Sequence, residues 1–398
     1  MKMKIYEIGT GYTPIPAQIS AATEIVVEEL TKAMLKQNLP VEIIDVAADH
    51  RMEHHLPIRQ VRVPKQFSRT DVQLGIMHKL KRVAYSVALA VELKKILKET
   101  REKVVLHFHN QYNLFFFLKL VPQKLRHRCI VAYTNHSGVW RLPWDTVEGT
   151  IRKRYFQEAA GMQQADLVFV LNEETRETII DKIRVPGERV VVIGNGVNTD
   201  VYCPLTTEEK SRIRSQYGLE NRRVILQVGS VYENKGQLRT VENLLPLLKK
   251  YPDLVYAYLG GIVDEAYQGQ IFEFTKEHEL EDQVRYLGMV SPGETLNNIY
   301  NMAEATILAS RYESFGMVVI ESFAAGIPVL VDENGQVHLG DGCITYRGDS
   351  FAQDIEDFLN DDISEISQKA RMNAEVQYSW DKIARDYMDA FAQFGGQV

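Results

Sequence analysis

The chain alternates short, continuously apolar runs with longer amphipathic ones. The first series places a strand at residues 4–8, a helix from about 17 to 37, and a strand at 41–46. A long basic helical region then runs to about residue 100, followed by apolar runs at 104–108, 130–133, 167–171 and 190–193 with helical segments between them. Short runs without polar alternation suit strands covered on both faces, and strands that alternate with helices suit a parallel sheet. The segment Ile193-Gly-Asn-Gly-Val-Asn-Thr-Asp-Val-Tyr-Cys-Pro204 breaks both periodicities with two glycines and a proline, which sets a domain boundary there. A second series follows, with strands at 224–228, 254–259, 284–287, 305–308 and 328–331. The amphipathic closing helix, from about 380 to 394, is expected to pack back on the first domain. The pattern predicts an α/β protein of two domains: 1–200 plus the terminal helix from about 379 to 398, and 201–378. In open parallel sheets ligands sit beyond the carboxyl ends of the strands, and two such domains face to face would make a deep cleft.

Length and composition agree with this picture. A chain of 398 residues exceeds one ordinary core, and 45% hydrophobic with 25% charged residues and no low-complexity segment excludes a disordered or fibrous chain. The apolar stretch 112–121 is about half of a membrane-spanning length and carries Lys119, so no spanning helix is expected. The N-terminus reads as a first strand and lacks the pattern of a signal peptide. Cys129, Cys203 and Cys343 follow no zinc or redox spacing and are expected to be reduced thiols, so the expected location is the cytoplasm. Charge adds an asymmetry. Residues 1–197 hold 29 Lys and Arg against 21 Asp and Glu, and residues 198–398 hold 17 against 32, so the halves carry +8 and −15. Such a division bears on partners rather than on fold.

The most informative segment is Ser310-Arg-Tyr-Glu-Ser-Phe-Gly-Met-Val-Val-Ile-Glu-Ser-Phe-Ala-Ala-Gly-Ile-Pro328. A strand ends before it, a polar loop carries Glu313, a helix begins near Phe315, and Gly326 with Pro328 stops that helix. Glu321 follows Glu313 by two helical turns, about 12 Å at helical rise. That spacing lets one carboxylate accept from sugar hydroxyls and the other from ribose hydroxyls, while the backbone N–H groups of Ser314, Phe315 and Gly316 point at a diphosphate. On local grounds alone, a helix N-terminal charge at Glu313 and a solvated charge at Glu321 fit equally well.

The sequence resembles the retaining glycosyltransferases of the GT-B fold, family four, whose hallmark is two glutamates separated by seven residues in this strand-loop-helix context. Ala325-Gly326-Ile327-Pro328-Val329 extends the match, as do Val284-Arg-Tyr-Leu-Gly-Met-Val290, Ala165-Asp-Leu-Val-Phe-Val-Leu171, Val192-Ile-Gly-Asn-Gly-Val-Asn198 and Ser379-Trp380. The resemblance implies two Rossmann-like domains, with Glu313 on the donor sugar and Glu321 on the ribose. Lys235, in the loop Val228-Gly229-Ser230-Val-Tyr-Glu-Asn-Lys235-Gly236, would meet the diphosphate together with Gly229, and Met289 would lie on the donor side. Ser230 stands where the family usually has an arginine, so Ser230 and backbone amides, or Arg239, would have to complete that contact. His136 matches a histidine that faces the donor sugar in similar enzymes. His109 and Gly11 are candidate acceptor-side contacts, with a structural role for His109 the slightly better local reading.

Other chemistries are less well signalled. Gly9-Thr-Gly-Tyr-Thr-Pro14 is a poor dinucleotide fingerprint, because Pro14 replaces the third glycine. Ser20-Ala-Ala-Thr-Glu24 stands where the family often has paired glycines. No Asp-x-Asp sits at a strand end, and Asp354-Ile-Glu356 falls in an amphipathic helix, so no metal and no other cofactor is expected. The expected activity is metal-independent transfer of a sugar from a nucleotide-diphosphate sugar to a hydroxyl acceptor in surface glycan or glycolipid synthesis. A non-catalytic sugar-nucleotide or glycan-binding subunit and a sugar-nucleotide epimerase are the alternatives. The expected partners are the donor and a glycan or lipid-linked acceptor, with no nucleic acid. Residues 51–103 hold 13 Lys and Arg against 5 Asp and Glu. Arg59, Arg62, Lys65, Arg69, Lys79, Lys81 and Arg82, with Trp140 and Trp144 as anchors, are therefore candidates for peripheral contact with an anionic membrane at its inner surface. The same residues also fit an ordinary helix with a solvated basic face.

Overall fold

A computed structural model describes residues 3–16, 22–48, 51–64, 76–335 and 337–395. The chain divides into two compact units, Met1–Gly196 with Trp380–Val398, and Val197–Ser379.

Among the described residues, unit 1 holds a parallel sheet of seven strands: β1 (Ile5–Ile8), β2 (Val41–Val46), β3 (Ile58–Val61), β4 (Val104–Phe108), β5 (Cys129–Thr134), β6 (Leu167–Val170) and β7 (Val190–Val192). Their spatial order is β3-β2-β1-β4-β5-β6-β7. Strands β1, β4, β5 and β6 are buried along their whole length, which is why they read as unbroken apolar runs. The C-terminal helix Trp380–Gly395 explains its own amphipathic pattern: it seats Trp380, Ile383, Ala384, Tyr387 and Phe391 on one sheet face with Ile5, Val105, Ala132 and Phe169. The Tyr387 and Phe391 rings lie 4.6 and 5.6 Å from that of Phe169.

Unit 2 holds a second parallel sheet, of β8 (Arg223–Val228), β9 (Leu254–Leu259), β10 (Val284–Tyr286), β11 (Ala305–Leu308), β12 (Val329–Asp332) and β13 (Cys343–Tyr346), in the order β10-β9-β8-β11-β12-β13. The helices Gln237–Lys250, Glu265–Glu277 and Phe351–Asn360 cover one face, through Val241, Leu244, Ile271 and Ile355 packed with Ile225 and Tyr256.

Strand order reverses between β1 and β4 in unit 1 and between β8 and β11 in unit 2. At such a point successive loops leave in opposite directions and open a crevice at the carboxyl edge.

Two edge strands correct the sequence-based expectation. Residues 58–61 form β3 within the region read as helical, and residues 343–346 form β13. Each has four residues and is only partly buried, so neither carries a long apolar run. The helices themselves are Ala22–Lys36 and Ile76–Glu99. Residues 17–21, including Ser20 and Ala21, lie outside the described residues, as do Lys65 and Arg69.

Candidate active site

In unit 2 the two motif loops leave adjacent strands, since β8 pairs with β11 through Ile225–Ala305 and Leu226–Thr306. The loop after β8 turns through Glu233–Lys235 and reaches Gly236, whose φ of +73° opens the helix Gln237–Lys250. A Cβ at Gly236 would stand 2.7 Å from the Ala309 carbonyl oxygen, so backbone closeness as well as φ requires glycine there. Several bonds fasten this loop to the one after β11. Arg311 N–H donates to the Asn234 carbonyl at 2.9 Å, Asn234 Nδ2 donates to the Tyr312 carbonyl at 3.0 Å, and Arg311 pairs with Glu233 at 2.9 Å. The Lys235 ammonium then meets the Glu313 carboxylate in a half-buried ion pair. Gln227, buried in β8, donates to the Lys235 carbonyl at 2.7 Å and accepts from Tyr256 OH at 2.7 Å, which anchors the turn in the sheet.

The remaining donor-side candidates are spread around this pair. Gly229 N–H donates to the Leu259 carbonyl at 3.0 Å, and the Ser230 carbonyl accepts from Gln237 Nε2 at 3.0 Å. Met289 follows β10 at the same carboxyl edge and is 82% exposed. Beyond Glu313, Ser314 leads to Phe315, which is buried with its ring beside Tyr378, and Gly316 precedes the helix Met317–Ala324. Glu321, on that helix, accepts from Tyr300 OH at 2.9 Å. Burial pushes its carboxyl up to about 7, against the opposing hydrogen bonds from Tyr300 and Tyr202. The Arg239 guanidinium donates to the Ala309 carbonyl, just past the end of β11.

In unit 1 the histidines gather at the switch point. His109, at the end of β4, presents Nδ1 to His136 Nε2 at 3.0 Å and Nε2 to Glu7 of β1 at 2.8 Å. His107 reaches Glu7 through Nδ1 at 2.9 Å and Thr134 through Nε2 at 2.7 Å. Glu7, His107 and His109 are buried, whereas His136 is partly exposed as a residue. Burial alone would raise the Glu7 carboxyl, but His107 and His109 hold it down at about 2. Burial, assisted by the neighbouring His107, lowers His109 to about 4, and burial with His109 beside it also lowers His136.

The Glu7, His107 and His109 ligand atoms lie within 4.8 Å of one another, a grouping of metal-ligand type that spacing along the chain did not reveal. Each imidazole nitrogen of the two histidines already has a hydrogen-bond partner, so the donor set is satisfied as a proton network. Glu7 is the residue that sequence reasoning missed, whereas His107 is legible beside His109 at a strand end in Leu106-His-Phe-His-Asn110. The one local signal for Glu7 is a charged side chain in a strand buried at every position.

Gly11 has a packing reason for its identity: at φ +79° a Cβ there would stand 2.1 Å from the Tyr85 ring. The basic surface also needs correction. Lys81 is buried and donates to the Tyr12 carbonyl at 3.1 Å. The Arg82 guanidinium lies 4.5 Å from the Tyr12 ring centre and 5.4 Å from that of Tyr112. Trp140 is fully buried, with Nε1 donating to Glu158 at 3.0 Å, and Trp144 packs on the core. Lys81 and Trp140 thus face the protein interior, whereas Arg82 and Trp144 keep partial exposure.

Two doubly wound units, each gathering polar side chains at its switch point, define the GT-B class of fold. The chain belongs to the glycosyltransferases: residues 23–201 match Glycosyltransferase Family 4, and residues 209–377 match Glycosyl transferases group 1. It is similar to an uncharacterised glycosyltransferase of Methanocaldococcus jannaschii, 25% identical over 300 residues that cover 72% of this chain and 74% of that protein. It is also similar to mannosylfructose-phosphate synthase of Agrobacterium fabrum, 28% identical over 51% of this chain and 48% of that protein. The matches thus span from about half to three-quarters of these relatives. Among solved structures, Anabaena HepE in complex with UDP and glucose shares the fold at a TM-score of 0.71, over 98% of this chain and 99% of that one, at 18% identity.

Proposed function

We propose that the protein transfers a glycosyl group from a nucleoside-diphosphate sugar to a hydroxyl with retention of configuration and without a metal. The observation that carries this reading is the Lys235–Glu313 ion pair at the β8/β11 switch point. Donor binding would give Lys235 to the diphosphate and Glu313 to the sugar hydroxyls, replacing one ion pair by two sets of charge-assisted contacts. Glu321 would accept from the ribose. HepE, whose complex holds UDP and glucose, supports a donor of this class.

In the transfer step the bond from the anomeric carbon to the diphosphate oxygen breaks as the acceptor oxygen bonds to the same face. The acceptor proton passes to the departing diphosphate. Lys235 and the N–H groups at the start of the helix Met317–Ala324 offset the growing negative charge. With Ser230 beside the diphosphate in place of a second cation, Lys235 carries more of that task.

The acceptor is proposed to be a glycan or a lipid-linked hydroxyl. The helix Ile76–Glu99 supports the lipid case, because it exposes Leu80, Val83, Val87 and Val91 in one row, with exposed Lys79, Lys95 and Lys98 towards its ends. Among the described residues no helix is long and apolar enough to cross a membrane.

A panel of nucleoside-diphosphate sugars, screened by thermal shift and then by released nucleoside diphosphate, tests the reading. A few donors should raise the melting temperature, and turnover should persist in excess chelator. Lys235→Ala should lower turnover about 100-fold while leaving the protein folded. A panel in which no donor binds or turns over sinks the proposal, and a complete, magnesium-reversible loss in chelator sinks its metal-free form.

A further inference from the structure

The histidine cluster of unit 1 has a direction. A carboxylate can only accept, so if Glu7 is ionised both His107 Nδ1 and His109 Nε2 must donate to it. Its low value of about 2 keeps it ionised near neutral pH, while His109 and His136, both lowered, are neutral there. A neutral His109 with its proton on Nε2 leaves a lone pair on Nδ1. That lone pair faces His136 Nε2 at 3.0 Å, so the proton of His136 belongs on Nε2. The second branch runs the same way. Thr134 Oγ1 lies 2.7 Å from His107 Nε2, and Tyr387 OH lies 3.2 Å from Thr134 Oγ1, so hydroxyl protons can point along this branch towards Glu7 as well.

We infer that Glu7 is a positioning residue that sets the tautomer of His136 through His109, so that His136 presents an unprotonated Nδ1 as a hydrogen-bond acceptor for a substrate hydroxyl. This rests on the glycosyl-transfer reading only for the identity of the hydroxyl; the tautomer is a property of unit 1 alone. Burial gives the arrangement its strength. Both connecting side chains are buried, so water cannot supply an alternative donor to His109 and relax the order. The coupling is of the kind found where a carboxylate orients a functional imidazole, here with a second imidazole inserted between them.

The test reads tautomers directly, by 15N NMR of protein labelled at histidine, with His136→Asn used to assign the His136 signals. In the unaltered, donor-free protein His136 should show a proton on Nε2 and a bare Nδ1, and His109 should show the same. A proton on Nδ1 of either ring overturns the inference, whatever the turnover. Metal analysis of the purified protein is the second measurement. A stoichiometric ion on Glu7, His107 and His109 would occupy His109 Nε2 and move its proton to Nδ1, so finding one also overturns the inference. Glu7→Gln gives the functional reading. An amide can donate to His109 Nε2, so the Nδ1-protonated form of His136 should appear and turnover should fall about tenfold. Glu7→Asp, which keeps the carboxylate, should retain the original His136 tautomer. A purely structural Glu7 would lower stability in both variants without moving the His136 proton, and that outcome would sink the idea.

Discussion

Glu321 shows how burial converts an ordinary carboxyl into one that titrates near neutrality. Its value is about 7 in the folded chain against 4.5 ordinarily, so the folded state holds this proton more tightly than the unfolded chain. Between those values its contribution to stability should fall as pH rises, because ionisation has to occur in a largely desolvated place. If the carboxylate accepts from ribose hydroxyls, the ionised form is the better acceptor and donor binding works against that trend. Donor affinity, measured by calorimetry between about pH 6 and 8, should therefore tighten as pH rises through about 7. Glu321→Gln should weaken binding and flatten that dependence, and an identical slope in the variant would remove Glu321 from the ribose contact. The two-glutamate spacing singles this residue out along the chain. Tyr300, which holds it, carries no comparable signal, because it closes a different helix, Glu294–Tyr300, and meets Glu321 only in the folded unit.

At the scale of elements, the loop after β8 depends on Gly236, where backbone closeness leaves no room for a side chain. Gly236→Ala should cost about 1–3 kcal/mol and lower turnover, since Lys235 sits on the same turn. Gly149, inside the helix Trp144–Arg154, has nothing within 4 Å of its missing Cβ, so Gly149→Ala should stabilise by up to about 1 kcal/mol. Thermal unfolding of the two variants checks both signs; equal shifts would refute the steric argument. Most strands were legible as apolar runs. The edge strands β3 and β13 were not, because each is only partly buried and mixes polar with apolar residues, so sheet pairing rather than an apolar run of its own holds it in place.

At the scale of the whole molecule, the basic region 51–103 suggested a membrane surface, and the fold changes which side chains can form it. Along the helix Ile76–Glu99, Lys81 and Tyr85 turn inward while Lys79, Leu80, Val83, Val87, Val91, Lys95 and Lys98 are exposed. Each exposed lysine near an anionic surface contributes on the order of 1 kcal/mol. Sedimentation with anionic vesicles should exceed that with neutral ones and fall as salt rises. Replacing Val87 and Val91 together by Glu should abolish the difference, whereas Lys81→Gln should leave it intact. Equal, negligible binding to both vesicle types at low salt would favour a soluble acceptor.

What the sequence by itself determined is what short-range pattern encodes: the alternation of strands and helices, the break near Gly194 and Gly196, and two carboxylates eight positions apart after a strand. What only the tertiary structure decided is which distant residues meet. Lys235 and Glu313 are separated by 78 positions and pair because β8 lies beside β11. Glu7 and His107 are 100 positions apart and meet because β1 lies beside β4, in the register that sets Glu7 against His107. Strand order, register and helical phase are long-range properties, settled by burying the apolar faces of every element at once. For the same reason Lys81 and Arg82 read as surface charges along the chain and turn towards Tyr12 in the fold.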